Sequence, residues 1–381
     1  MSESDGSHGI PYEDTAPFKG AGRAASYVED VAVAEVGPTS WVSAPEATAL
    51  PPMPAARPNT PATLIEEVNS PMSDLLADEP AAQPGRATRG FRGALGRVGI
   101  RLAPSGAEKA RLEADAAVRR DEQVIRQATW TRAVGVLVAN PKGGVGKTPV
   151  SVLLGGTLAT IRGGSVAVIE VSDDPGTLTF RAEGKPALGM GELVRDVDAI
   201  RSAGQLAGYT APQTSFASII GSTGARPALS GNDVRRVSSV VDDYYAVRIM
   251  DSGNQPSSDA FVGAIDAADV LVIPVLNSAD VVLGAMSLLE RMRLEGGHSA
   301  DLANHAIVLR LTDGRPEDPR IMERLSGLLE RSGVRETYAI PYDAHVAERG
   351  ELTLAKLTPA TRSALTTAAA GIVRSLQLNA R

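Results

Sequence analysis

An unbroken apolar run, AVGVLVA (133–139), leads directly into NPKGGVGKTPV (140–150) and on into a second apolar stretch. That succession restricts the fold more than any other part of the chain. Seven apolar residues without polar alternation must be covered on both faces, as the strands of a parallel sheet are. Gly143, Gly144 and Gly146 then let the backbone wrap tightly, and a helical pattern runs on to about Arg162. Strand, glycine loop and helix in this order aim backbone N–H groups and the positive end of a helix at one point. Such a point is a receptacle for polyphosphate. Gly143, Gly144, Val145 and Gly146 form the cradle. Lys147 is placed to reach the β and γ phosphates, and the Thr148 hydroxyl to ligate Mg²⁺.

The same alternation continues downstream. Further strands are expected at SVAVIEV (165–171), AVRIMD (246–251), DVLVIPV (269–275), AIVLRL (306–311) and YAIP (338–341). Helices are expected between them, among others at 279–294, 318–332 and 359–378. The fold class is therefore α/β, with a mainly parallel sheet covered by helices on both faces. The Gly/Ala/Ser-rich region 176–230 yields only a helix near 190–199 and a strand at FASII (216–220).

Residues 1–85 differ in kind. They hold 12 of the 25 prolines and 13 acidic residues against 3 basic ones. A segment so poor in apolar periodicity cannot bury enough surface to offset its ordering entropy, so a disordered acidic tail is expected there. The formal charge of −7 thus becomes −10 in the tail and +3 in the remainder, and does not exclude nucleic acid as a partner. Between tail and domain, 86–131 reads as a linker. Its first part, 86–101, carries five arginines interleaved with Phe91, Leu95, Val98 and Ile100, a pattern suited to anionic lipid or nucleic acid. Its second part is a charged helix over 105–127, capped by Ser105 with Glu108 three residues on. The domain proper is placed at 132–381. With no cysteine, disulfides and zinc–thiolate sites are excluded. No run of 18 apolar residues and no leader pattern is present, so a cytoplasmic location is expected.

Lys142, in front of the loop, narrows the reading. KGGVGKT with that leading lysine resembles the deviant phosphate loop of the ParA/MinD ATPases, and the resemblance extends over 132–378. It implies an ATP-sandwich homodimer in which Lys142 reaches the partner's nucleotide. In VRIMDSGN (247–254), Asp251 corresponds to the strand-end acid that holds Mg²⁺ through water, and Gly253 brings an amide near the γ phosphate. VIEVSDDPGTLTF (168–180) stands where the family has an acid that positions the attacking water. Asp174, before Pro175, is the first choice for that acid and Asp173 the second. IPYD (340–343) resembles the loop lying against adenine, with Pro341 and Asp343. The usual asparagine of the preceding loop is absent, leaving Thr312 and Asp313 as base-edge contacts.

The resemblance implies a partition ATPase that binds DNA without sequence preference, is stimulated by a ParB-like partner and lies on the nucleoid. Arg291, Arg293, Arg310, Arg315, Arg320 and Arg324 are candidates for the DNA face. A second reading is a MinD-like regulatory ATPase of a type VII secretion assembly, suggested by the Ala/Pro-rich tail, FRGALGRVGIRL and DDPGTL. Membrane cycling is the third, and the Ala-rich last helix suits packing better than lipid insertion.

Pro149 is the irregular element. In the first turn of a helix its ring clashes with no carbonyl. It does remove an N–H that would face the α phosphate. A lost charge-assisted hydrogen bond costs about 1.5–3 kcal/mol, roughly one to two decades of affinity. Looser nucleotide retention, relieved by Pro149→Thr, is the expectation from the loop alone.

Overall fold

The computed structural model describes residues 105–379. The acidic tail expected over 1–85 and the arginine-rich stretch 86–101 lie outside the described residues. Helix α1 (Gly106–Gln127) opens with Ser105 accepting from the Glu108 amide at 3.2 Å. Then come β1 (Val134–Val138), α2 (Lys147–Arg162) and β2 (Val166–Val171). Three short helices follow, α3 (Leu178–Arg181), α4 (Met190–Asp196) and α5 (Ala203–Ala207), with the strands β3 (Ala211–Pro212) and β4 (Ser218–Ile220). The chain continues through α6 (Gly231–Asp242), β5 (Val247–Ser252), α7 (Asp259–Asp266) and β6 (Val270–Leu276). It goes on through α8 (Ala279–Glu295), α9 (Gly297–Asn304), β7 (Ile307–Leu311) and α10 (Pro319–Arg331). It ends with β8 (Glu336–Ile340), α11 (Ala344–Ala347) and α12 (Pro359–Asn379).

The strands form one sheet in the order β3-β4-β2-β5-β1-β6-β7-β8. All pairings are parallel except β3 with β4. Because side chains alternate across a strand, β1 serves two cores at once. Val134, Val136 and Val138 pack with α1, α2 and α12, while Leu137 joins the layer of α4, α6, α7, α8 and α10. Both faces of the central strands are therefore dry, which is why their sequences are continuous apolar runs. The order also places β2, β5 and β1 side by side, so the loops leaving their C-terminal ends share one edge. The crevice at that edge is where open α/β sheets receive ligands.

The structure contains each strand expected from the sequence, with ends shifted by a residue or two. FASII contributes β4, and β3 turns back against it. The latter was not expected, since two residues that include a proline carry no periodic signal. Helix α1, assigned by its charge to a linker, lies against the sheet domain. Ile125 is fully buried, and Arg374 of α12 pairs with Asp121 at 2.6 Å. The Arg162 guanidinium, 4.7 Å from the centre of the Trp130 ring, donates to the Ile125 and Ala128 carbonyls at 2.9 Å each. Few apolar positions mark the packed face of α1, so its charge concealed the contact. The last helix packs as expected, burying Leu365, Ile372, Val373 and Leu376.

Helix α2, which carries the glycine loop, sits close on the sheet through Gly155. A Cβ there would lie 2.4 Å from Cγ2 of Val168, a stiff β-branched side chain in β2. Gly155→Ala should therefore destabilise the protein by about 1–3 kcal/mol, an overpacking cost larger than the ~1 kcal/mol gained in helix propensity. Urea unfolding measures this. A variant at least as stable as the natural chain would show that the α2–β2 contact is loose.

Candidate nucleotide-binding site

The glycine loop leaves β1 and is pinned at its entrance by Asn140. That buried side chain donates to the Pro274 carbonyl of β6 at 2.9 Å and accepts from the Lys142 amide at 2.9 Å. Gly144 and Gly146 adopt φ values of 73° and 92°, left-handed conformations natural to glycine. A Cβ on Gly146 would also meet Leu311 Cδ1 at 2.7 Å. Val145 is buried and lines the adjoining base-side cleft, not the phosphate cleft itself.

Lys147 curls back over the loop. Its Nζ donates to the Asn140 carbonyl at 2.9 Å, the Lys142 carbonyl at 3.0 Å and the Asn254 side chain. Burial pushes its pKa down to about 8, with the Asp251 charge acting in the opposite direction. A buried ammonium set among neutral acceptors is stabilised by an incoming anion. Asp251, at the end of β5, accepts from the Thr148 hydroxyl at 2.7 Å and the Ser151 hydroxyl at 3.0 Å. Burial raises its pKa to about 6, with those two hydrogen bonds opposing the rise.

These donors fit Mg²⁺. They are hard oxygens, and the Asp251 carboxylate, short of positive charge, anchors the hydroxyl that would serve as a ligand. Among the described residues no group of three or more His, Cys, Asp or Glu could hold a metal ion by itself. A bound ion would draw its remaining ligands from water and phosphate, as Mg²⁺ commonly does at nucleotide sites.

Across the cleft, β2 ends at Val171 and the SDDPG turn begins. The register sets Glu170 beside Asp251. Glu170 is buried and paired at 2.9 Å with Arg226, whose side chain is only 3% exposed. The same guanidinium donates to the carbonyls of Ser172 at 2.9 Å, Asp173 at 2.6 Å and Asp174 at 3.1 Å. One arginine thus holds the whole turn in shape. The Asp173 carboxylate lies against Gly253, where a Cβ would approach its Oδ1 to 2.9 Å. Asp174 is exposed at the rim. Thr148, Asp173, Asp174, Asp251 and Gly253 line one cleft of about 580 Å³ with Lys147.

A second cleft of about 300 Å³ continues from the first. Val150, Leu153, Leu311, Ile340 and Leu365 give it apolar walls suited to a base, and Thr312, Pro341 and Asp343 lie on its lining. Asp343 is not free for a ligand through its carboxylate, which accepts from the His345 amide at 3.1 Å and the Thr358 amide at 2.8 Å. It staples the loop whose backbone faces the cleft. The structure does not bring Lys142 into its own chain's cleft. The Lys142 ammonium lies 3.6 Å from Asp280 at the start of α8. Sequence reasoning missed Arg226, Asn254, Arg181 and Arg349. Only Asn254, directly after the Asp251–Gly253 segment, carried a local signal.

Arg226→Leu leaves Glu170 buried without its partner and frees the turn. We expect a loss of about 3–5 kcal/mol in urea unfolding, part of it recovered when Glu170→Gln is added. An unchanged midpoint in the single variant would mean that the pair contributes nothing.

Residues 136–354 match the family model described as the CobQ/CobB/MinD/ParA nucleotide binding domain. The ESX-1 secretion-associated protein EspI of Mycobacterium tuberculosis is 24% identical over 276 residues, 70% of this chain. The match covers 39% of that relative's length. Among solved structures, the MinC:MinD cell division complex of Aquifex aeolicus aligns with a TM-score of 0.48 and 17% identity, over 62% of this chain and 94% of that one. A ParA family ATPase from Chlorobium tepidum aligns with a TM-score of 0.47 and 15% identity, over 65% and 92%. With a family model matched across more than half of its length, and a parallel sheet bearing the loop that such a domain requires, the chain belongs to the CobQ/CobB/MinD/ParA nucleotide-binding family.

Proposed function

We propose that the chain is a Mg²⁺-dependent ATPase that works as a nucleotide-gated homodimer of the ParA/MinD kind. The observation that carries this is the convergence of KGGVGKT, the Asp251–Gly253 segment and the SDDPG turn on one cleft. Mg²⁺, when bound, neutralises charge on the phosphate oxygens. The Thr148 hydroxyl and, behind it, Asp251 would hold that ion. Lys147, already buried and poised, supplies the positive charge for the β and γ phosphates, and the loop amides complete the cradle. An acid on the SDDPG turn orients the attacking water. The contact with Gly253 favours Asp173 for this role over Asp174, the choice suggested by Pro175. Lys142, parked on Asp280 outside its own cleft, is available to reach the nucleotide of a second copy.

For the biological output, the similarity to EspI favours a regulatory or scaffolding ATPase associated with type VII secretion. The DNA-partition reading has less support from the proposed arginine face. Arg291 pairs with Glu295, Arg293 donates to Asn304, Arg310 to Asn277 and Ser326, and Arg315 pairs with Asp313. Among the described residues, Arg320 and Arg324 alone of the six have exposed side chains that make no such contact. Among the described residues no helix is long and apolar enough to cross a membrane.

Phosphate release with Mg-ATP tests the chemistry. Lys147→Ala should abolish turnover. Asp173→Ala should keep ATP binding and lose about a hundredfold in rate, the lower end for a lost water-positioning group. Equal rates for Asp173→Ala and the natural chain, with Asp174→Ala impaired, would reverse the assignment. Sedimentation of the hydrolysis-blocked protein with ATP should give a dimer that Lys142→Ala weakens. The same protein on random duplex DNA decides the output: ATP-dependent, salt-sensitive binding returns the partition reading, and no binding supports the secretion one.

A further inference from the structure

The phosphate-side and base-side clefts share five lining residues: Gly144, Gly146, Pro149, Arg181 and Arg349. Whatever joins a base to its terminal phosphates has to pass over this junction. The glycines bring no side chain to it, and Pro149 brings no N–H. The two arginines carry its only polar side chains.

Arg181, on α3, is 6% exposed, and its Nε is buried without a hydrogen-bond partner among the described residues. A terminal nitrogen of the same guanidinium donates to the Val346 carbonyl at 3.3 Å. Burial chiefly, and then the nearby charge of Arg349, depress its pKa. Neither arginine takes part in an ion pair among the described residues. Two cations held together without an acid are unfavourable until an anion is placed between them.

Arg349 adds a second, independent sign. It stands just beyond α11 with φ 59°, in the left-handed region. Glycine is the usual residue there, because a side chain in that conformation is strained. The chain keeps an arginine at this position and puts its glycine one residue later, at Gly350. Strain of this sort clusters at binding sites, and of the three non-glycine residues with positive φ among the described residues Arg349 alone lines the two clefts. A purely structural role would not explain it, since the Arg349 side chain is exposed and makes no hydrogen bond among the described residues.

We propose that Arg181 and Arg349 contact the phosphate nearest the base, replacing with guanidinium donors the amide that Pro149 removes. Guanidinium is suited to this, being permanently charged and able to present paired N–H groups to phosphate oxygens. The proposal rests on the nucleotide-binding reading above. It also revises the expectation drawn from the loop alone: the proline has been compensated, so restoring the amide in the natural chain gains little.

Titration calorimetry with Mg-ADP, alongside thermal unfolding without nucleotide, tests it on the natural chain, Arg349→Gly, Pro149→Thr and the double variant. Arg349→Gly should unfold at the same or a higher temperature, since it relieves strain, yet bind ADP about tenfold more weakly, the worth of one charge-assisted hydrogen bond. Pro149→Thr should change affinity less than about threefold alone, and restore about tenfold in the Arg349→Gly background. Undiminished ADP binding by Arg349→Gly would overturn the proposal, as would equal gains from Pro149→Thr in both backgrounds. Either result leaves the nucleotide reading standing. If the natural chain binds neither ADP nor ATP, that reading and the proposal fall together.

Discussion

The buried contact between the loop helix and β5 organises this protein. Thr148 and Ser151, one turn apart on α2, donate to the two oxygens of Asp251. A lone buried carboxylate is costly, and two hydroxyl donors reduce that cost without removing it, so its pKa stays near 6. The same contact fixes the rotation of α2 over the sheet, sets the direction of the glycine loop and holds Lys147 against the carbonyls of Asn140 and Lys142. A positive and a negative group thus feel each other's charge without forming an ion pair, and burial outweighs that attraction at both. Such a cleft is prepared for a cation and an anion together, which is what a magnesium nucleotide is.

The opposite wall uses a different device. The SDDPG turn has no regular hydrogen-bond ladder, and Arg226 substitutes for one by gathering three successive carbonyls while neutralised by Glu170. The cost of burying both charges is offset because nearly every guanidinium hydrogen is used. Rigidity here would serve the proposed chemistry, since an acid orienting water would act only within a narrow range of positions. The junction between the two clefts inverts this logic. There two arginines have no acidic partner among the described residues, and one stands on strained backbone, so the site is held under strain rather than relaxed.

Much of this was legible along the chain and some was not. Continuous apolar runs revealed the parallel strands because burial on both faces erases the alternation of polar and apolar residues. KGGVGKT revealed the cradle because only glycine permits the required backbone. The region 176–230 was only partly legible: α4 and the FASII strand showed, while α3, α5 and β3 are too short for periodicity to register. The docking of α1 was hidden for the opposite reason: its exposed charges outnumber the few residues that pack.

The sequence by itself determined the class of fold and the phosphate cradle, because both rest on local rules: which residues tolerate burial, and which tolerate a left-handed turn. Only the tertiary structure decided which acid faces Gly253, which arginine shapes the turn, and what stands beside Pro149. Arg226 lies about fifty residues from the turn that it organises, and Arg349 is 200 positions from the proline with which it lines both clefts. No spacing in the chain encodes those meetings. They follow from the strand order β2-β5-β1, which brings distant loops to one edge and lets their charges act on one another.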